Sequence, residues 1–301
     1  MKWGLVGGNT GAFAEPANAI ALATAVEAAG FDSLWTFEHV IAPLEYDSVY
    51  PYSSKGKAPG LLSADMPDPL IWLAYVAART TTLKLGTGIL ILPQRNPVVL
   101  AKEVATLDNL SGGRVLLGIG VGWLREEFDA IGVPFERRGA RTDDAVAAMR
   151  ALWSDDDASH AGEFTSFQHV RSWPRPAGGA VHVTVGGHSE AAARRAGRLG
   201  DGFFPALDAA TIAEHGLGGA IEHFLDLVRL MRQTAQDHGR DPASIEVSLN
   251  TGMAPPAEVV DHLESEGVDR LVVYIPTRDP ADVPSALQAL AEQVGIAGVA
   301  S

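Results

Sequence analysis

The sequence predicts an α/β protein built as a single (β/α)8 (TIM) barrel over residues 1–301, and three observations predict it. Short apolar runs alternate strictly with longer stretches of helical periodicity along the whole 301-residue chain. That alternation calls for parallel strands joined by crossover helices. The runs, such as Val115-Leu116-Leu117-Gly118-Ile119 and Leu271-Val272-Val273-Tyr274-Ile275, are apolar throughout and not at every second residue, as strands covered on both faces are. The alternation counts eight strand–helix pairs and no ninth, which favours a closed barrel over an open sheet.

Each pair is predicted from local signals. A strand over 2–7 leads to a helix over 16–29, where Ile20, Ala23, Val26 and Ala29 recur at helical spacing and Gly30 ends the run. The second strand spans 33–37, and its helix, 68–79, carries Pro69 in the first turn, where a missing N–H costs nothing. A strand over 83–92 precedes a helix over 97–110 that Gly112-Gly113 stops. The later pairs are 114–120 with 141–153, 181–186 with 189–199, 202–205 with 220–238, 245–250 with 257–266, and 270–275 with 281–294. Two segments, 40–66 and 154–180, do not fit the alternation, are rich in Pro, Ser, Gly, aromatic and charged residues, and total 54 residues. A barrel of this kind typically needs ~250 residues, so these two insertions, one after strand 2 and one before strand 5, account for the excess length.

Composition removes several function classes. The chain has 37 acidic and 23 basic side chains, a net charge of −14, which argues against a nucleic-acid surface and against an anionic membrane surface. There is no cysteine, so disulfides, Cys-ligated zinc, iron–sulfur clusters and thiol catalysis are excluded. The longest stretch free of Asp, Glu, Lys and Arg is 176–189, shorter than a membrane span, and the N-terminal residues lack the apolar core of a signal peptide; a cytoplasmic protein is expected. The nine histidines show no H-E-x-x-H pattern, so no metal site is expected.

In such barrels the chemistry lies on the loops after the strands. The second strand ends in Glu38-His39, a carboxylate beside an imidazole that can serve proton transfer or simply be a hydrogen-bonded structural pair. Gly86 and Gly88, around Thr87 in the third strand, either admit a flat ligand to the backbone or fit a crowded barrel interior. The fourth strand ends in Gly118-Ile119-Gly120-Val121-Gly122-Trp123; the spacing is not the dinucleotide fingerprint and reads better as a slot for a planar ring. After the fifth strand, Gly186-Gly187-His188-Ser189 opens a helix and offers an anion its free N–H groups and dipole. The same stretch narrowly misses the G-x-S-x-G elbow of serine hydrolases, with Asp201 and His215 following in order.

Taken together, these residues resemble the bacterial luciferase-like superfamily, in its branch of flavin- and deazaflavin-dependent oxidoreductases. The run Leu107-Asp108-Asn109-Leu110-Ser111-Gly112-Gly113-Arg114 through Trp123 is similar to the family's most recognisable stretch, and Gly30–Trp35, Glu38-His39, Leu85–Ile89, Gly186–Ser189 and Gly200–Phe203 match as well. The resemblance implies a barrel holding F420 or FMN at the C-terminal face. It implies that His39, with Glu38, takes part in proton transfer. It places Thr87, Gly88 and Ile89 behind the ring, with a non-prolyl cis peptide at Gly88–Ile89, and sets Val121, Gly122 and Trp123 beside it. Gly186, Gly187, His188 and Ser189 would take the phosphate. Some deazaflavin relatives carry a glutamate acid where Trp123 stands, which leaves His39, Glu38, substrate or water as proton donor. The implied activity is F420-dependent hydride transfer with a small organic substrate. The alternative is an FMN-dependent monooxygenase fed by a partner reductase, and a homodimer is expected. A serine hydrolase or a non-catalytic ligand-binding barrel stands outside the family reading.

Overall fold

The structure is a computed structural model and describes residues 1–296 apart from residues 54, 59 and 208. In chain order the barrel elements are β1 (Lys2–Val6), α1 (Pro16–Ala28), β2 (Ser33–Thr36), α2 (Pro69–Ala77), β3 (Lys84–Thr87), α3 (Pro97–Ser111) and β4 (Val115–Gly120). They continue through α4 (Arg125–Ala130), α5 (Arg138–Ser154), β5 (His182–Gly186), α6 (Glu190–Leu199), β6 (Gly202–Phe204), α7 (Ala209–Asp237), β7 (Glu246–Gly252), α8 (Ala257–Ser265), β8 (Arg270–Tyr274) and α9 (Val283–Gln293). Every neighbouring pair is parallel, and β1 pairs with both β2 and β8, so the eight strands close on themselves. No helix among the described residues is long and apolar enough to cross a membrane.

Outward-facing side chains such as Leu5, Leu34, Leu85, Leu117, Val183, Phe203, Leu249 and Leu271 form the core between strands and helices. The barrel axis is filled differently. The Trp35 indole lies across it, bonded to Ser33 Oγ at 2.9 Å and packed on Phe204 with ring centroids 4.6 Å apart. Glycines make the room: a Cβ at Gly86 would lie 2.3 Å from the Trp35 ring, and one at Gly118 would lie 1.9 Å from the Thr87 carbonyl oxygen. Of the two readings of the β3 glycines, Gly86 therefore follows the crowded interior. At the N-terminal end the axis is ionic, with Lys2, Lys84, His182, Glu246 and Arg270 around a cavity of about 300 Å³.

The helices start where the sequence supplies caps. Asp68 accepts from the N–H groups of Leu70 and Ile71, and Asn96 from those of Val98 and Val99, each with Pro next in the chain. Four elements differ from expectation. The strand over 83–92 breaks at Gly88–Ile89, whose peptide is cis, and Leu90–Ile91 resumes pairing with Ile119 and Gly120. The short α4 was not foreseen. The helix foreseen over 220–238 begins at Ala209 and is interrupted at Gly216, with φ 69° and ψ 173°. The insertion 154–180 contains an antiparallel hairpin, Ala158–Ala161 with Ser166–Val170.

Candidate active site

The strand ends converge on the C-terminal mouth of the barrel. The end of β2 is fixed by Asn9, which is fully buried. Its amide donates to the carbonyls of Phe37 and Pro67 at 2.9 Å each and accepts from the Phe37 N–H at 2.9 Å. One side chain thereby ties together both ends of the 40–66 insertion.

Beyond Phe37 the paired residues separate. Glu38 is buried and accepts from Ile91 N–H and from Arg95, whose Nη2 also reaches Asp68 at 2.7 Å. Burial alone would lower the Arg95 pKa, but the Glu38 and Asp68 carboxylates outweigh it and raise it. Glu38 is thus a counter-ion that fastens the end of β2 to the chain beyond the cis peptide, and its carboxylate is not presented to the mouth beside His39. His39 turns instead to Glu127, with Nδ1 3.1 Å from Oε2.

Glu127, at the start of α4, has no exposed side-chain surface. It also accepts from Gln94 Nε2 at 3.0 Å and from the N–H groups of Val40 at 2.5 Å and Ile41 at 3.3 Å. Burial works to raise its pKa, and the bonds from His39, Gln94 and Val40 overcome burial and hold it below the ordinary carboxylate value. A buried carboxylate on Nδ1 favours the tautomer with hydrogen there, which leaves Nε2 as the acceptor. Its neighbour Glu126 accepts from Ser48 Oγ at 2.7 Å and from the N–H groups of Asp47 at 2.7 Å and Ser48 at 3.1 Å, bonds that hold its pKa down to about 2. Consecutive carboxylates on α4 therefore clasp the insertion at two points.

The insertion brings its aromatic residues across the mouth. Trp123 meets His39 edge-on at 5.8 Å, Tyr46 at 5.7 Å and Tyr50 at 5.0 Å; Tyr50 meets Tyr52 at 5.4 Å, and Tyr52 meets His188 at 4.5 Å. This belt links the ends of β2, β4 and β5. Gly122 turns with φ 79°, a conformation that leaves no space for a side chain because a Cβ would lie 2.7 Å from Phe128. Its carbonyl accepts from Arg138 Nε at 3.0 Å, beside the half-buried Val121.

Under the belt lies Ile89. Its side chain leans so closely on Gly120 and Gly186 that a Cβ at either would sit 2.4 or 2.5 Å from it, and it packs on the Trp35–Phe204 cluster while remaining partly exposed. Thr87 is 1% exposed and bonds Gly118 O at 2.6 Å, so its side chain faces the barrel wall. Gly88 packs near Phe204.

After β5, Gly186 and Gly187 (φ 114°) lead through His188 to Ser189, which caps α6 by accepting from Ala192 N–H at 3.3 Å. The ten-residue α6 points its first-turn N–H groups at this loop. The hydrolase constellation does not assemble: among the described residues Ser189, Asp201 and His215 share no hydrogen bond. Asp201 pairs with Arg150 at 2.9 Å and His215 lies 3.6 Å from Glu214.

The mouth thus gathers His39, Ile89, Val121, Gly122, Trp123 and Gly186–Ser189, while Glu38 and the Thr87 side chain face elsewhere. Sequence reasoning did not single out Asn9, Gln94, Glu127 or the three tyrosines. Glu126-Glu127 follow the fourth strand by six residues, and a carboxylate pair so near a strand end was the available signal.

The profile of the family described as luciferase-like monooxygenase matches residues 4–266. An uncharacterized protein of Mycobacterium tuberculosis is 32% identical over 255 residues, covering 84% of this chain and 83% of the relative. The F420-dependent glucose-6-phosphate dehydrogenase of Kineococcus radiotolerans is 33% identical over 186 residues, 60% of this chain and 50% of the relative. Among solved structures, the monooxygenase RslO1 from Streptomyces bottropensis superposes with a TM-score of 0.73 at 23% identity, over 97% of this chain and 98% of its own. An F420-dependent secondary alcohol dehydrogenase, solved with an F420–acetone adduct, does so with a TM-score of 0.70 at 18% identity, over 97% of each chain. At these identities the two structures establish a shared fold.

Proposed function

The chain belongs to the luciferase-like monooxygenase family, and from that premise we propose that it is an F420-dependent oxidoreductase that moves a hydride between the deazaflavin and a small organic alcohol or carbonyl compound. The observation that carries this reading is the His39–Glu127 pair. Taking a hydride from an alcohol carbon requires the hydroxyl proton to leave as well, and an imidazole whose Nδ1 is held by a buried carboxylate presents Nε2 as its acceptor. In the reverse direction the imidazolium returns that proton to the forming alkoxide. The positive charge on the ring is balanced by Glu127 in both directions.

The residues fit such a cofactor. Ile89 supplies a partly exposed apolar shelf, Val121, Gly122 and Trp123 flank it, and Gly186 to Ser189 with the start of α6 supply N–H donors for a phosphate. When bound, the deazaflavin supplies the two-electron acceptor or donor. The buried Glu127 carboxylate lies out of bulk water, which strengthens its electrostatic pairing with His39. The relatives described as F420-dependent glucose-6-phosphate dehydrogenases support the choice of cofactor.

FMN with a partner reductase is the second reading, and Trp123 favours it, since the glutamate acid of some deazaflavin relatives is replaced here by an apolar ring. Titration of the protein with F420 and with FMN, followed by quenching of cofactor fluorescence, separates the two. Submicromolar binding of F420 with FMN at least tenfold weaker is expected; the opposite order overturns the assignment.

A further inference from the structure

We propose that this site takes an uncharged substrate bearing an apolar or aromatic ring, and not a phosphorylated or carboxylated metabolite. The inference rests on the placement of the active site at the His39 mouth and goes beyond it to the substrate class. The first ground is the wall itself. Tyr46, Tyr50 and Trp123 stand between His39 and the outer part of the insertion, with centroid separations of 5.0 to 5.8 Å, and all three are only partly buried. They offer a substrate ring the faces and edges that favour stacking. Tyr46 is also shared with a cavity of about 490 Å³ inside the insertion, lined by Leu44, Ala58 and Leu62 and by the charged Glu45, Asp47 and Lys57, whose formal charges sum to negative, a size suited to a small ligand.

The second ground is charge. An anionic substrate group must lose water, and that is offset only by a cation or several donors aimed at it. Three of the basic side chains near the wall are already engaged by the protein itself. Lys57 Nζ donates to the Tyr46 carbonyl at 2.6 Å and lies 3.9 Å from that residue's ring centre. Arg125 pairs with Glu136 at 2.8 Å, and Arg138 donates to the Gly122 carbonyl at 3.0 Å. Lys55 is exposed. Glu126 and Glu127, held ionised by their bonds to the insertion, add negative charge at its base. A sugar phosphate or carboxylic acid would meet this field unfavourably, whereas a neutral ring-bearing alcohol or ketone would not.

The test is binding of 2-naphthalenemethanol and of glucose 6-phosphate to the full-length protein, read by isothermal titration without cofactor and again in the presence of F420. The aromatic alcohol is expected to bind at least tenfold more tightly than the sugar phosphate. Tyr50→Ala is expected to weaken it about two- to twelvefold, the range of a lost aromatic contact, and Tyr50→Phe to restore it. Equal or tighter binding of glucose 6-phosphate, or unchanged aromatic affinity in Tyr50→Ala, overturns the proposal. Failure of F420 itself to bind counts against the cofactor reading, and the cofactor-free titration still decides the substrate class.

Discussion

Glu127→Gln keeps the shape of the side chain that holds His39 and removes its charge. The magnitude follows from the geometry. A unit charge at 3.1 Å from the imidazole interacts with an imidazolium by at most about 5 kcal/mol at an effective dielectric of ~20. The same carboxylate is shared with Gln94, Val40 and Ile41, so the net loss should be nearer the ~1.5–3 kcal/mol of a hydrogen bond to a charged group. At ~1.36 kcal/mol per factor of ten, hydride transfer coupled to proton transfer should slow roughly 10- to 150-fold. The assay is single-turnover stopped-flow of the F420 absorbance change with saturating alcohol. Glu126→Gln is the companion variant, because Glu126 clasps the same insertion at Asp47 and Ser48 without touching His39. It should raise KM and leave the single-turnover rate within about threefold of the unmodified protein. If Glu127→Gln transfers hydride within twofold of that rate, or if both variants lose the same factor, the carboxylate acts only through the insertion and the role given to the pair is wrong.

Four further outcomes are expected. The folded pKa of Glu126 is depressed, so its contribution to stability is fully present above the ordinary value of 4.5 and is lost as pH falls through about 2; limited proteolysis should show the 40–66 segment equally protected at pH 7 and pH 4.5, and cleaved faster in Glu126→Gln at both. Glu38→Ala strips Arg95 of a partner in a largely buried pair and should lower unfolding stability by about 3 kcal/mol or more in urea titration, whereas a substantial kinetic defect without destabilisation would restore Glu38 as a catalytic group. Gly118→Ala drives a methyl against the Thr87 carbonyl, 1.9 Å from the Cβ position, and should cost about 3 kcal/mol by the same titration. Ser189→Ala removes the cap on α6, lowering stability by ~1 kcal/mol and cofactor affinity severalfold; complete loss of an esterase activity in this variant would instead favour the hydrolase reading.

The barrel was legible in the sequence because its signals are local. Strand runs buried on both faces, Pro after a capping Asp or Asn, and Gly after a helix each depend on a few neighbouring residues. The failures are contacts across long separations. Asn9 is joined to Phe37 and Pro67, and Glu127 to His39 at a separation of 88 residues, and no periodicity records either. Arg114, in the most recognisable motif, reads in the sequence only as the first residue of the strand over 114–120. It is 7% exposed and donates to the carbonyls of Ala77, Thr80, Leu83 and Ser111 and to the Thr80 hydroxyl, which makes it a staple for the end of α2. The hairpin in 154–180 escaped because its inward positions are few and mixed, Ala158, His160, Phe167 and Val170, so no run of apolar residues marks either strand.

The glycines show most clearly how the sequence can be right about a place and incomplete about its cause. The glycines of β3 leave a flat ligand and a crowded interior as alternative readings, and those at the end of β4 suggest a slot for a planar ring. Gly86 and Gly118 are instead occupied from within, by the Trp35 indole and the Thr87 carbonyl, and Gly120 and Gly186 are covered by Ile89. On the proposed reading, the surface offered to a cofactor ring is a side chain on a tightly packed base, Ile89 over Trp35 and Phe204, and the glycines act one layer below by letting that base come close. This has a consequence for rigidity. Packed cores do not deform continuously, and Ile89 is held against β2, β4, β5 and β6, while the opposite side of the mouth is a loop secured by Asn9, Glu126 and Glu127. The proposed cofactor support and the proposed substrate wall are thus built from elements of different stiffness. Changes in substrate preference should arise in the insertion, where residues such as Tyr50 can be exchanged without disturbing the barrel, and changes at Ile89 should be felt through the fold.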